Sequence, residues 1–435
     1  LSAELDRARS IVERLYQAAL IAADPRRAVR DAISIDDGRI TVAGERFDRD
    51  IDVVVLAIGK AAVTMAVGAR DALGDRIRRG IAITKDDHAG DTLLPGIDIY
   101  EASHPIPDER GVRATRRAIE LLESTGEREL VLALISGGGS ALFESPTPPV
   151  TLADMQAVTS ALLRAGAAID ELNAVRTPLS QVKGGGLLEH VGGNKLVTLI
   201  VSDVLGNDPR VIASGPTVPG NRDRGRARSV LEQFELWDSV PASVRTVLAE
   251  LDASERGSSR VFPLDVIADN HSAVAAAAGE AAELGLTART IWIDRTGEAR
   301  DQARFWVDEI AAAVPDVDCL IGGGELTVTV RGAGVGGRNT EFALAAASAL
   351  ESDEWVVASL ATDGQDGPTG VAGGFLDRAS VAELRADGVD PDAALAANDS
   401  LRPLELARGV IAPGPTGTNV NDLYLAIRKS AIPRA

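Results

Sequence analysis

Cysteine is all but missing: Cys319 stands alone in a chain of 435 residues. A lone cysteine excludes an intrachain disulfide and a thiolate zinc cluster. It lies in the apolar run VDCLIGGG and reads as a buried, unreactive thiol. Histidine is nearly as scarce, with His88, His104, His190 and His271 and no H-x-x-x-H or H-E-x-x-H spacing, so the common histidine zinc sites are removed as well. Lysine is confined to Lys60, Lys85, Lys183, Lys195 and Lys429, the other basic residues being arginine. An acidic, lysine-poor composition fits a high-salt cytoplasm or a genome biased against lysine codons. No run of about 18 uncharged apolar residues occurs, which argues against a spanning helix, and nothing resembles a secretory signal. The expectation is a cytoplasmic protein with no membrane partner. With 64 acidic against 45 basic residues the formal net charge is −19, so a nucleic acid partner would be repelled.

Glycine, by contrast, is abundant at 43 residues, and apolar residues make up 45%. Aromatics reach only 3%. A glycine-rich, aromatic-poor chain of this length suggests two α/β domains, with helices packed on mostly parallel sheets. An opening helix is expected from about Ser2 to Ala23, then a short one from Pro25, then a small β-ribbon turning at 36–38. Continuously apolar runs at 52–58, 129–135 and 195–204 read as buried parallel strands, with further strands at 78–85 and 97–103. Helices are expected near 108–123 and 151–171. Later strands fall at 261–269 and 287–294, with helices ending at Gly285 and near 313. Helices at 378–386 and 391–396 close the pattern. A domain boundary is placed at 240/241, with the final residues left free to return to the first domain.

Small and polar residues gather at the ends of these strands, where an open α/β sheet binds its ligands. Ser136-Gly137-Gly138-Gly139-Ser140 follows a buried strand; its amides suit phosphate oxygens, although a tight strand-to-helix turn has the same composition. Lys60, after a strand and a glycine, stands where a phosphate-binding lysine would stand. Lys183, before three glycines, can reach a phosphate as a point charge or lie plainly on the surface. Asp203 ends a strand and suits Mg²⁺, a hydroxyl, or a helix cap. Gly332 to Gly337 reads literally as G-x-G-x-x-G, but the acid that a dinucleotide site needs about 20 residues later is only loosely met. Phosphate binding by Gly336, Gly337 and Asn339 is therefore preferred, with Arg338 placed to clamp a transferring phosphoryl group. Asp363 and Asp366 share a Gly/Pro loop and can hold a hard cation or serve as turn residues. There is no Walker A motif and no protein-kinase signature.

Taken together, AIGKAA, SHPIPDE, SGGGSAL, NAVRTPLSQVKGG, SDVLGNDPRVIASGPTVP, GGGELTVTVRGAGVGGRNTEFALA, ATDGQDGPTG and GPTGTNVNDL resemble the glycerate 2-kinase family that carries a MOFRL-type C-terminal domain. They run in order from about residue 10 to 428. The resemblance implies a larger Rossmann-like, three-layer parallel-sheet domain (1–240) and a smaller α/β MOFRL-type domain (241–435). It implies transfer of the γ-phosphoryl of ATP to the 2-hydroxyl of D-glycerate, with a divalent cation such as Mg²⁺. The family's critical lysine falls on Lys60 and its critical arginine on Arg338; Asp203, Asp363 and Asp366 carry its acidic positions, and Arg176 or Arg338 is available for the glycerate carboxylate. Pro178 and Gly186 stand where many relatives carry basic residues, and Gly370 where an acid is common. Two other readings remain open: an NAD(P)H-dependent hydroxypyruvate reductase, with His104 as proton donor, and a non-catalytic nucleotide-binding regulator. A homodimer is kept open on general grounds alone.

Overall fold

Continuous apolar runs become buried strands because both faces of a parallel sheet are covered by helices. The computed structural model describes residues 3–191, 195–220, 222–249 and 260–432. The chain divides into two compact units, Pro25–Ile267 and the described residues of Leu1–Asp24 with Ala268–Ala435.

In the first unit a six-stranded sheet runs Ile97–Ala102, Ile77–Lys85, Asp52–Ile58, Glu129–Ser136, Lys195–Val201, Leu264–Ala268. The first five of these pair in parallel. The chain builds outward from Asp52–Ile58 in one direction, then returns to its other side with Glu129–Ser136. That reversal is the topological switch point of an open sheet, where crevices form beyond the carboxyl ends of the strands. Helices Ala62–Leu73 and Glu109–Glu123 follow their strands, the second capped by Asp108 accepting from the Gly111 amide. The expected ribbon gains a third strand: Ile33–Asp36, Arg39–Val42 and Glu45–Phe47 form an antiparallel sheet. The long helical region expected at 151–171 is two helices, Leu152–Arg164 and Ile169–Arg176, separated by Gly166 in a left-handed conformation.

The second unit also holds a six-stranded sheet, but a mixed one. Its order is Ala288–Arg295, Cys319–Gly324, Asp422–Arg428, Trp355–Ala361, Gly373–Asp377, Val410–Ile411. Only the first pairing is parallel; the remainder are antiparallel. The expectation of mostly parallel strands therefore holds for one unit and not the other. Two strands account for this: Asp422–Arg428 enters the middle of the sheet against the direction of both neighbours, and Gly373–Asp377 likewise runs against both of its own. Much of the scarce aromatic content gathers here: Trp292 and Trp306 meet edge to face with centroids 4.8 Å apart, and Phe342 and Tyr424 pack 4.9 Å apart. Cys319 is fully buried, and burial pushes its thiol up to about 12, as suits an inert core residue.

The units do not divide at 240/241. Helix Ala242–Ala249 packs Val244, Val247 and Leu248 among Met155, Val158 and Leu162 of the first unit, and Leu264–Ala268 joins its sheet. Of the segment between, 250–259 lies outside the described residues. The opening helix, Ala3–Ala22, belongs to the second unit; the expected start at Ser2 lies outside the described residues. The Tyr16 hydroxyl donates to Ala361 O at 2.7 Å, and the Thr418 hydroxyl donates to Ala23 O at 2.6 Å. The final strand stays in the second unit rather than returning to the first. Among the described residues no helix is long and apolar enough to cross a membrane.

Candidate active site

The first group of candidate residues sits at the switch point of the parallel sheet. Asp52–Ile58 and Glu129–Ser136 are hydrogen-bonded neighbours, so the loops after them emerge side by side. They are stitched together at once. The Lys60 amide donates to Gly137 O at 2.9 Å, the Ala61 amide to Ser136 Oγ at 3.1 Å, and the Ser136 hydroxyl to Ile58 O at 3.3 Å. Ser136 is thus spent on joining the two strand ends. The next strand out contributes Thr84, whose hydroxyl donates to Lys60 O at 3.2 Å.

Two of the glycines are explained by what lies against them. A Cβ on Gly137 would fall 1.9 Å from Asp203 Oδ2, so the Asp203 carboxylate rests directly on this part of the loop. Gly138 adopts φ 81°, a left-handed conformation, and a Cβ there would fall 3.1 Å from Lys60 Cγ and 3.2 Å from His104 Cδ2. Lys60 is therefore laid across the glycine loop beside His104. Lys60 is half-buried, and its ammonium, among the described residues, has no hydrogen-bond or ion-pair partner. Burial first, then the charge of Lys60, holds the His104 imidazole down to about 4, so it is neutral at physiological pH.

Lys183 is turned away from the role expected of it. Its ammonium is enclosed, donates to Ser140 O at 2.5 Å, and lies 3.3 Å from Glu144 Oε2, with both side chains 1% exposed. Burial lowers its pKa to about 8, Glu144 opposing and Arg176 assisting that shift. Arg176 Nη2 donates to Ser140 Oγ at 3.1 Å, and the Ser140 and Ser214 hydroxyls share a hydrogen bond of 2.8 Å. Lys183 therefore holds the end of the glycine loop in place from inside. Lys183→Met should lower unfolding stability by about 3 kcal/mol, since it leaves the buried Glu144 without its countercharge. Denaturant unfolding measures this, and adding Glu144→Gln should recover most of the loss.

The second unit holds the other candidates. Arg338 opens helix Arg338–Ala349, and three of its donors are engaged. Nε and Nη2 donate to the two oxygens of Asp422 at 2.6 and 3.0 Å, and Nη1 donates to Glu325 Oε1 at 2.8 Å. A guanidinium has five N–H donors, so two are left for a ligand. Asn421 Nδ2 donates to Glu325 Oε2 at 3.0 Å and fixes that acid in turn. Asp422 was legible only as the end of a polar loop; its role as the clamp of Arg338 had no signal of its own beyond an acid immediately before an apolar run.

Asn339 and Asp366 are not placed for a ligand. Asp366 is buried and accepts from the Asn339 and Thr340 amides at 2.9 and 2.8 Å and from the Thr340 hydroxyl at 2.8 Å, so it caps the helix. Asn339 is fully buried, and its Oδ1 accepts from the Ser359 hydroxyl at 2.5 Å. Gly336 packs against Ser400, and Gly337 is buried over Asp366. The literal G-x-G-x-x-G also lacks the geometry of a dinucleotide turn. Residues 325–337 separate strand Cys319–Gly324 from the helix, so no tight strand-to-helix turn forms there. Asp363 stays half-buried, with Oδ1 accepting from the Gln365 amide at 2.9 Å. Among the described residues no group of three or more His, Cys, Asp or Glu side chains converges as a metal cluster.

Burial pushes the Asp422 carboxyl up to about 6, against the pull of Arg338. The ordinary value is about 3.9. Protonated Asp422 cannot accept both guanidinium bonds, so turnover should fall about tenfold per pH unit below that value. Stability carries the opposite sign. Between the two values the folded state holds the extra proton, so this group favours folding more as the pH drops through that window. A kcat profile should show the limb in the parent protein and lose it in Asp422→Asn, at a lower plateau.

Two family descriptions match the chain. A domain of unknown function, DUF4147, matches residues 11–249, and the MOFRL family matches residues 318–422. The chain is 39% identical over 432 residues to a glycerate 2-kinase of Pyrococcus horikoshii, covering 96% of this chain and 97% of that one. It is 42% identical over 386 residues to a D-glycerate 2-kinase of Thermotoga maritima, covering 86% and 90%. Its fold is similar to the crystal structure of a glycerate kinase from Thermotoga maritima, with a TM-score of 0.88, 37% identity, and coverage of 97% of this chain and 100% of that one.

Proposed function

We propose an activity for this chain from its membership: it belongs to the glycerate-kinase family that joins a DUF4147 region to a MOFRL region, and it transfers the γ-phosphoryl of ATP to the 2-hydroxyl of D-glycerate. The observation that carries the reading is the Lys60 ammonium, partnerless among the described residues, laid over a glycine loop at the switch point of a parallel sheet beside Asp203. A half-buried cation with no acid of its own is poised for an anionic ligand.

The chemistry asked of the protein is mostly positioning and charge neutralisation. The amides of Gly138, Gly139 and Ser140 begin the short helix Gly139–Leu142, where no intrahelical acceptor exists, and they suit phosphate oxygens. In the first unit Lys60 is available to stabilise charge on the moving phosphoryl group, and in the second unit, taken by itself, Arg338 keeps two donors for an anionic ligand. The glycerate 2-oxygen forms its bond to phosphorus as the bond to the ADP oxygen breaks, and the hydroxyl proton is released. A Mg²⁺ bound with ATP would supply charge neutralisation at the phosphates and would need only one or two protein carboxylates. In the first unit Asp203 would fit that demand, and in the second unit, taken by itself, Asp363 would. Asp366 does not, because its oxygens are spent on the helix cap.

The test is direct. The protein is mixed with ATP, Mg²⁺ and D-glycerate, and ³¹P NMR is read for ADP and 2-phosphoglycerate. A 3-phosphate product would overturn the regiochemistry. Absence of turnover, together with steady oxidation of NADH or NADPH by hydroxypyruvate, would replace the reading with a reductase; ATP binding without any turnover would leave a regulator.

A further inference from the structure

The first unit contains a cavity of about 240 Å³ beside the glycine loop. Its walls are apolar on several sides, from Pro105, Ile106, Met155 and Leu163, and polar at Gln156, Thr159, Ser160 and Arg176, with Glu144, the ion-pair partner of Lys183, also in the lining. Ile106 and Leu163 are 63% and 59% exposed, a large apolar area to leave uncovered at the rim of one cavity. Arg176 links the cavity to the phosphate loop, because its Nη2 donates to both Ser140 O and Ser140 Oγ, at 3.3 and 3.1 Å. Gln156 donates through Nε2 to Pro107 O at 2.8 Å. This fixes the amide and turns its Oε1 into an acceptor that, among the described residues, has no donor.

We infer that this cavity binds the purine nucleoside end of ATP, with the phosphates leading past Arg176 to Gly138 and Gly139. The inference rests on the kinase reading for the identity of the nucleotide. A three-carbon hydroxy acid has no apolar face with which to cover Ile106 and Leu163. A purine has two such faces and a polar edge, and its exocyclic amine is a donor suited to Gln156 Oε1. The contact order then matches the molecule: base among apolar walls, ribose near Thr159, phosphates at the glycine loop. The cavity is small beside the roughly 300–1,000 Å³ that encloses a drug-sized ligand, as suits a site that holds only part of one.

Thr159→Trp fills the cavity from a half-buried position on helix Leu152–Arg164, leaving the glycine loop untouched. Titration calorimetry should show adenosine binding weakened about tenfold or more, and KM for ATP should rise alongside it. Tripolyphosphate, which carries the phosphate chain alone, should inhibit parent and variant equally, and KM for glycerate should not change. Leu163→Asn, at an exposed position, is the second variant in case the tryptophan disturbs folding, and it should weaken adenosine in the same direction. Unchanged adenosine binding and KM for ATP in both variants would overturn the inference, as would a rise in KM for glycerate alone. Adenosine binding lost in the variants of a protein that phosphorylates no glycerate would sink the kinase reading and keep the nucleoside site.

Discussion

Lys60→Ala is expected to lower kcat by roughly 100- to 1,000-fold, the loss seen when one preorganised donor to a developing charge is removed. The same substitution should barely change the melting temperature. The ammonium makes no hydrogen bond or ion pair among the described residues, and the backbone contacts that place residue 60, from its amide to Gly137 O and from Thr84 to its carbonyl, survive the change. A fall in kcat with an unaltered melt is the signature of a ligand-directed cation. Loss of both would mean that Lys60 supports the loop. Near-parental turnover would remove it from the mechanism. Lys60→Arg should recover only part of the rate, since the planar guanidinium must be accommodated against Gly138, which both the lysine chain and His104 approach closely.

Arg338→Ala is expected to cost both activity and stability, and the two losses can be separated. Turnover should fall about 1,000-fold, the lower end of what a phosphoryl-directed arginine supplies. Stability should fall by about 3–5 kcal/mol, because Asp422 is fully buried and would be left with no countercharge. The double variant Arg338→Ala/Asp422→Asn removes the buried charge and should regain most of the stability while leaving kcat low. Recovery of kcat in the double variant would show that Arg338 served only to neutralise Asp422. Urea unfolding and steady-state kinetics on the three proteins decide between these outcomes.

The contrast between Lys60 and Lys183 shows how far local sequence reaches. Both lysines adjoin glycines, and both read as cations for phosphate. Only their neighbours in space distinguish them. Lys183 finds Glu144 and the Ser140 carbonyl and is consumed by them; Lys60 finds a glycine and a neutral histidine and is not. The same division separates the acids. Asp366 meets a helix N-terminus and becomes its cap, whereas Asp203 comes to rest on Gly137. Arg338 and Asp422 lie 84 residues apart, and no motif connects them.

By itself the sequence determined that this is a two-unit α/β chain, where its buried parallel strands run, and that small and polar residues collect where those strands end. Those properties rest on periodicity and backbone chemistry, which are local. The tertiary structure alone decided that the opening helix joins the later unit, that Asp422–Arg428 enters its sheet antiparallel, and which strand-end groups remain for a ligand. The physical reason is hydrogen-bond satisfaction. A buried polar group takes whichever partner the fold brings within about 3 Å, and that partner is usually remote in the chain.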